Sequence, residues 1–378
     1  MKLAILGTRG VPPEYGGFET FAAELGVRLV RRGHDVTVYC RKTELRGYEV
    51  SGFRSKPRNP VTSQPEWNGI HRIVLPHVSG KYFETVTHTF VSALDALRRD
   101  FDAVLLCNAA NAFTIPLLRA GRLPVAINVD GIERKRRKWN VLGQAFYATG
   151  EAFAATFASA IVADAEVIAE YYRANYNIEP DVIPYGAEFP SEEDTDVLHR
   201  LGIDRYILYV SRFEPENNPL EVVRAYEKLK DAPPLVMLGA ARYDKALEAE
   251  LRRHASPRVL FPGALYGADY RTLQRHALIY VQATEVGGTH PALIEAMASG
   301  GLVLANDTPE NREVGGDAIR YFQLRPEETL SGMLRECLAS HRDGVWRQRA
   351  RRRAAERFGW EAVTDAYEGV LRRLRGSG

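Results

Sequence analysis

Three loops in this chain carry glycines, an arginine and carboxylates where they could hold an anionic, hydroxyl-rich ligand. The first, Gly7-Thr8-Arg9-Gly10-Val11-Pro12-Pro13-Glu14-Tyr15-Gly16-Gly17, follows an apolar run and opens a helical pattern. Backbone N–H groups at a helix start carry partial positive charge, so they favour phosphate oxygens or hydroxyls. In the second, Thr284-Glu285-Val286-Gly287-Gly288-Thr289-His290 feeds a helical pattern whose first turn is expected to contain Glu295. Small residues let phosphate oxygens approach the backbone, and a carboxylate one turn further in could accept hydrogen bonds from a ribose diol. In the third, Arg212 within Ser211-Arg212-Phe213-Glu214-Pro215-Glu216-Asn217-Asn218 follows an apolar strand pattern. A guanidinium there could clamp a diphosphate with two parallel hydrogen bonds. Each loop taken alone also reads as a plain turn or a surface ion pair.

The elements that must position these loops alternate as strand and helix. Residues 2–6 read as a buried strand, 18–32 as a helix ended by Gly33, and 35–40 as the next strand. That is a βαβ unit, which predicts a parallel sheet with a right-handed crossover. Strands follow at 70–75, 103–106, 125–129 and 160–163, with helices at 84–99 and 141–157. Residues 190–196 are polar and read as a linker. A second series then begins, with strands at 206–210, 234–238, 259–261, 279–282 and 302–305. Helices are expected near 219–230, 243–254, 268–276, 291–299 and 326–341, and two more at 346–357 and 360–375. The fold class is therefore α/β, with two Rossmann-like, doubly wound parallel-sheet domains facing across a cleft. The expected limits are 1–188 for the first domain and 189–358 for the second, with a C-terminal helix, 359–378, packing back on the first.

Composition narrows the function classes. At 378 residues, with 45% hydrophobic and 26% charged residues, the chain suits two soluble globular domains. A formal charge of +2 gives no global attraction to nucleic acid. The first loop is not GxGxxG, and the second strand runs into Arg41-Lys42 where a dinucleotide site would place an acid for the ribose, which disfavours NAD. The nine histidines show neither HxH nor HExxH spacing, so no metal site is expected. Cys40, Cys107 and Cys337 form no CxxC pair and read as buried, reduced thiols. Leu3-Ala4-Ile5-Leu6 is too short for a signal peptide and no run of about 18 apolar residues occurs, so a cytoplasmic location is expected.

In this order and spacing the loops resemble glycosyltransferase family 4, of the GT-B fold, over nearly the whole chain. Leu6 to Pro12, Tyr15-Gly16-Gly17-Phe18-Glu19-Thr20, Val129 to Lys135, Pro215 to Asn218 and Glu285 to Thr289 are similar to its bacterial rhamnosyltransferase-like branch, which builds cell-surface polysaccharide. The resemblance implies a retaining transferase that moves a sugar from a nucleotide diphosphate, TDP-rhamnose or a UDP-hexose, to a saccharide or lipid-linked acceptor. Arg212 would hold the donor diphosphate, Gly287, Gly288, Thr289 and His290 would meet the phosphates or sugar, and Glu295 the ribose. Gly16 and Gly17 would bring the first domain's helix to the donor, with Arg9, Tyr15 and Glu19 on the acceptor side. Asp130 falls near the place of a family histidine that touches the transferred sugar. Two departures stand out. The position eight before Glu295, where the family has a second glutamate, is Gly287, and the nearest acid is Glu285; Asn217-Asn218 replace a lysine that follows the family arginine.

Such a reaction needs mainly stabilisation of leaving-group charge, and no metal cofactor is expected. A nucleotide-sugar epimerase of the same architecture is the alternative, with a noncatalytic sugar-nucleotide sensor behind it. The basic runs Arg134-Lys135-Arg136-Arg137-Lys138-Trp139 and Arg347 to Arg357 suit a solvated face or peripheral contact with the anionic inner leaflet.

Overall fold

A computed structural model describes residues 1–13, 16–42, 65–78, 80, 83–135, 139–189, 195–241, 244–326, 328–340 and 343–376. Two sheets organise them. The first contains β1 (Lys2–Leu6), β2 (Asp35–Arg41), β3 (Glu66–Trp67), β4 (Ile70–Leu75), β5 (Ala103–Cys107), β6 (Val125–Asn128), β7 (Ala160–Ala163) and β8 (Asp181–Val182). Its order is β3-β4-β2-β1-β5-β6-β7-β8, parallel throughout except for the β3–β4 pair. The second contains β9 (Ile207–Val210), β10 (Leu235–Leu238), β11 (Val259–Gly263), β12 (Ile279–Gln282), β13 (Val303–Asn306) and β14 (Arg320–Phe322), all parallel in the order β11-β10-β9-β12-β13-β14. Strands such as Ala103–Cys107, buried along their whole length, have the continuous apolar character of a sheet covered on both faces.

Helices fill those faces. Helix Phe83–Ala96, helix Ile115–Ala120, helix Val141–Phe157 and helix Glu166–Tyr176 share one apolar cluster with β1, β5, β6 and β7. The opposite face carries helix Gly17–Arg31 and the last helix, Trp360–Gly376. That final helix crosses back: Tyr367 packs on Phe21, with ring centroids 5.0 Å apart, and its hydroxyl accepts a 2.6 Å hydrogen bond from Asn128 in β6. Arg32 and His34 reach Glu368 at 3.0 Å each. Three hydrogen bonds, from Arg372, His34 and Arg32, pull the Glu368 carboxyl down to about 2.

The chain passes between the sheets twice, side by side. Ala187 N–H donates to Phe358 O at 2.7 Å, and Gly186 lies flat on the Trp360 ring, where a Cβ would collide with the indole. One apolar cluster therefore runs from Leu3 and Val36 through Tyr185 and Trp360 to Leu208 and Leu293.

Several elements depart from the sequence expectation. Helix Glu166–Tyr176 and helix Pro309–Gly315, together with strand β14, fall in stretches the hydrophobic pattern left unassigned. The first buries only Ile168, Ala169 and Tyr172, too few to give a clear apolar period, and the second is only seven residues long. The polar stretch taken as a linker becomes helical from Asp196; residues 190–194 lie outside the described residues. The basic helix begins at Asp343, and it is not a free charged face. Arg347 donates to the carbonyls of Gly300, Ala277 and Leu278, and Arg353 to those of Val314 and Glu313. Those two arginines close the C-terminal ends of neighbouring segments, where unpaired carbonyls concentrate negative charge.

Candidate functional site

Strand order reverses between β1 and β5 in the first sheet and between β9 and β12 in the second. In open α/β sheets the crevice beyond the carboxyl ends of strands at such a switch is where ligands bind. All three loops singled out in the sequence leave those strands: Gly7–Gly17 follows β1, the Arg212 loop follows β9, and 284–290 follows β12. Gly7 sits at the first switch with φ +89°, and a side chain there would run into the Cys107 carbonyl at the end of β5.

The second sheet's two loops are stitched together. Glu285 N–H donates to Glu216 O at 2.9 Å, and buried Asn218 sends its side-chain amide to Ala283 O at 2.8 Å. Asn217 donates to Arg212 O at 2.7 Å. The asparagines that replace the family lysine thus act on the backbone, holding the Arg212 segment against the end of β12. Arg212 itself is left exposed, with Glu214 3.5 Å from its guanidinium, so it is accessible to a phosphate.

Helix Pro291–Ala298 begins directly after the 284–290 loop. Its start faces the start of helix Gly17–Arg31 from the other sheet: a Cβ on Gly17 would stand 3.5 Å from Pro291 Cγ. Gly131, at φ +67°, lies against Gly287 with the corresponding distance 3.4 Å. Gly16, Gly17, Asp130 and Gly287 to His290 are therefore brought to one junction.

Three residues are placed differently from expectation. Glu295 lies in the second turn of its helix, because the helix begins at Pro291. Its half-buried carboxylate accepts from the Tyr270 hydroxyl, which in turn accepts from Gln274 at 2.9 Å. Burial pushes the Glu295 carboxyl up to about 7, against the downward pull of the Tyr270 hydrogen bond. Thr289 was expected to offer its amide to phosphate, yet that N–H donates to Asp164 Oδ2 at 2.9 Å and its hydroxyl to Asp164 O. Glu19, expected on the acceptor side, is buried and accepts from Arg9 N–H at 2.9 Å, so it shapes the first loop from within.

Asp164 escaped the sequence reading altogether. It follows β7, it is fully buried, and its carboxylate lies against Gly288, leaving no room for a side chain there. Desolvation raises the Asp164 carboxyl well above its ordinary range, and the neighbouring Asp130 pushes the same way. The signal available in sequence was one acid directly after the apolar run Ala160–Ala163, the pattern of a residue at a strand's carboxyl end.

The remaining candidates scatter. Arg9 makes a 3.6 Å ion pair with Glu84, which also holds Arg41 at 3.1 Å, so it stands beside helix Phe83–Ala96. Tyr15 lies outside the described residues, as do Arg136, Arg137 and Lys138 of the first basic run. Arg134 of that run is turned inward on Tyr171 and Glu151. Among the described residues no group of three His, Cys, Asp or Glu side chains could hold a metal ion, and no helix is long and apolar enough to cross a membrane.

Comparison with known proteins bears on this geometry. Residues 16–186 match the family described as glycosyl transferase 4-like domain, and residues 191–353 match glycosyl transferases group 1. None of the curated proteins matches the chain in sequence. Among solved structures, a sucrose-phosphate synthase from Thermosynechococcus elongatus superposes with a TM-score of 0.81 at 18% identity, covering 100% of both chains. Alr3699/HepE of Anabaena, in complex with UDP and glucose, gives 0.79 at 15% identity, covering 99% of this chain and 100% of its own. A trehalose 6-phosphate synthase of Burkholderia multivorans gives 0.71 at 9% identity, covering 100% and 97%. At these identities the structures speak for the fold, while the two sequence families span nearly all of the chain. The chain belongs to the glycosyltransferases of the GT-B fold.

Proposed function

We propose that this glycosyltransferase retains anomeric configuration, moving rhamnose from TDP-rhamnose, or a hexose from a UDP-sugar, to a saccharide or lipid-linked acceptor of cell-surface polysaccharide. The observation that carries the reading is that the Arg212 loop and the loop leading into helix Pro291–Ala298 leave adjacent strands at the second sheet's switch point and are hydrogen-bonded to each other, with Gly17 of the first half at that helix's start. Leaving-group charge is met by the guanidinium and two helix starts, positioned before the reaction begins. Glu295 takes the ribose hydroxyls, and Asp130 and Glu285 act on the transferred sugar. The acceptor hydroxyl enters on the face the diphosphate leaves, and its proton passes to the departing phosphate oxygen, so no separate base and no metal are invoked. UDP and glucose bound in the Anabaena structure support a nucleotide-sugar donor, while the loop motifs support rhamnose.

A peripheral place on the cytoplasmic leaflet fits a lipid-linked acceptor. Val141 and Leu142, each 79% exposed, come one residue after the basic run 134–138 and Trp139, with Asn140 between.

The test is a thermal-shift screen across TDP-, UDP- and GDP-sugars, since a ligand that binds only the folded chain raises its melting temperature. The stabilising donor is then offered to Arg212→Ala in a transfer assay. Loss of about 100-fold or more in kcat/KM is expected, the order seen when one charge-stabilising donor is removed. Near-normal turnover removes Arg212 from the diphosphate site. Conversion of the donor with no acceptor present establishes the epimerase instead.

A further inference from the structure

The junction between the two sheets contains an exchange of carboxylates. Asp164, at the end of β7, caps the segment entering helix Pro291–Ala298: Oδ2 accepts Thr289 N–H at 2.9 Å, and its main-chain oxygen accepts the Thr289 hydroxyl. Two residues on, helix Glu166–Tyr176 begins, and it is capped in the opposite direction. Glu313, in helix Pro309–Gly315 of the second half, accepts Glu166 N–H at 2.6 Å and Val167 N–H at 3.1 Å. Each half thus places an acidic side chain on backbone amides of the other half: Glu313 on the orphan amides that open helix Glu166–Tyr176, and Asp164 on the amide just before the N-cap His290. Asp164 is fully buried, and Asp130 lies against its carboxyl, raising it together with desolvation.

The Thr289 amide lies in the loop assigned above to the donor phosphates, so a bound diphosphate and the Asp164 carboxylate want the same kind of donor. Resting on that assignment, we propose that Asp164 and Glu313 form a latch between the halves, which the donor diphosphate opens by taking the Thr289 amide from Asp164. The carboxyl oxygen Oδ2 occupies the Thr289 amide in the unliganded chain and, being buried, keeps it out of bulk water. The closed latch lowers apparent donor affinity, which scales with the fraction of molecules already unlatched. Asp164 is on this view a positioning residue, and Glu313 strengthens its hold from a distance without touching the donor loop.

The test measures binding of UDP and of TDP by calorimetry to the wild-type protein, Asp164→Ala and Glu313→Ala. If about nine molecules in ten are latched, releasing the latch tightens the nucleotide by up to about tenfold, and about threefold or more is expected for each variant. A purely structural role would lower the melting temperature and leave affinity equal or weaker, and that result overturns the latch. Should Asp164→Ala fail to fold, Glu313→Ala decides alone, because it leaves Gly287 to His290 intact. Binding by the wild type with no tightening in a folded variant rejects the latch and keeps the donor site. Failure of all three proteins to bind either nucleotide rejects the donor site and the latch with it.

Discussion

Gly17 and Pro291 begin helices that belong to different sheets, and a Cβ on Gly17 would stand 3.5 Å from Pro291 Cγ. Two helix starts at that distance pool the partial positive charge of their free N–H groups in one crevice. The approach rests on Gly17 lacking a side chain, since a Cβ there already reaches van der Waals contact with Pro291.

A 3.5 Å contact is ordinary van der Waals spacing, so Gly17→Ala should fold and retain transfer within about threefold. Gly17→Phe would fill the crevice while remaining on an exposed position. It should cut kcat/KM by about 100-fold, about 2.7 kcal/mol, with little change in melting temperature. Steady-state kinetics and a thermal melt on the two variants check this. Full activity in Gly17→Phe would show that substrates do not pass between the two helix starts.

Glu295 makes nucleotide binding depend on pH. Its carboxyl is raised to about 7 in the folded chain from an ordinary 4.5, chiefly by burial. Ribose hydroxyls donate to the ionised form, so nucleotide affinity should weaken by up to about tenfold as pH falls from 8 to 6. The sign for stability is opposite. A raised carboxyl favours the folded, protonated state below about 4.5, and that contribution is lost as pH rises through 7. Glu295→Gln should therefore flatten the pH profile of binding, bind more weakly at pH 8, and stabilise the unliganded protein there by about 1 kcal/mol. Calorimetry at the two pH values, with urea unfolding, measures both. An unchanged pH profile in the variant would move the titration to another group.

The exposed pair Val141 and Leu142 gives the membrane reading a direct test. Burying a leucine or valine in an interface is worth about 1.5–3 kcal/mol each, and neighbouring lysines or arginines add about 1 kcal/mol apiece near anionic lipid. The wild-type chain should float with phosphatidylserine-containing vesicles at low salt, and Leu142→Glu should reduce the bound fraction by tenfold or more. A glutamate in the first turn of helix Val141–Phe157 favours that helix, so lost binding would not reflect its unfolding. Equal flotation of the two proteins would show that this end of the helix does not meet the lipid.

What the sequence determined by itself were the features carried by local pattern. Apolar runs of parallel-sheet length, each followed by a helical period, specified two doubly wound halves. Glycines after the runs 2–6 and 279–282, and Arg212 after 206–210, marked the loops that prove to lie at the two switch points. These were legible because backbone sterics and burial act on neighbours in the chain. Short or highly charged elements such as helix Pro309–Gly315 lacked the periodicity to declare themselves. The tertiary structure alone decided what each polar group at the junction faces. It set Asp164 on Thr289, Glu313 on Glu166, Tyr270 on Glu295, and Glu19 under Arg9, and it turned Arg347 and Arg353 from a basic surface into caps for carbonyls. Asp164 and Thr289 are 125 positions apart, and no local rule links them. Their pairing follows from desolvation: once packing buries a carboxylate beside a helix start, the unpaired amide there is its natural partner.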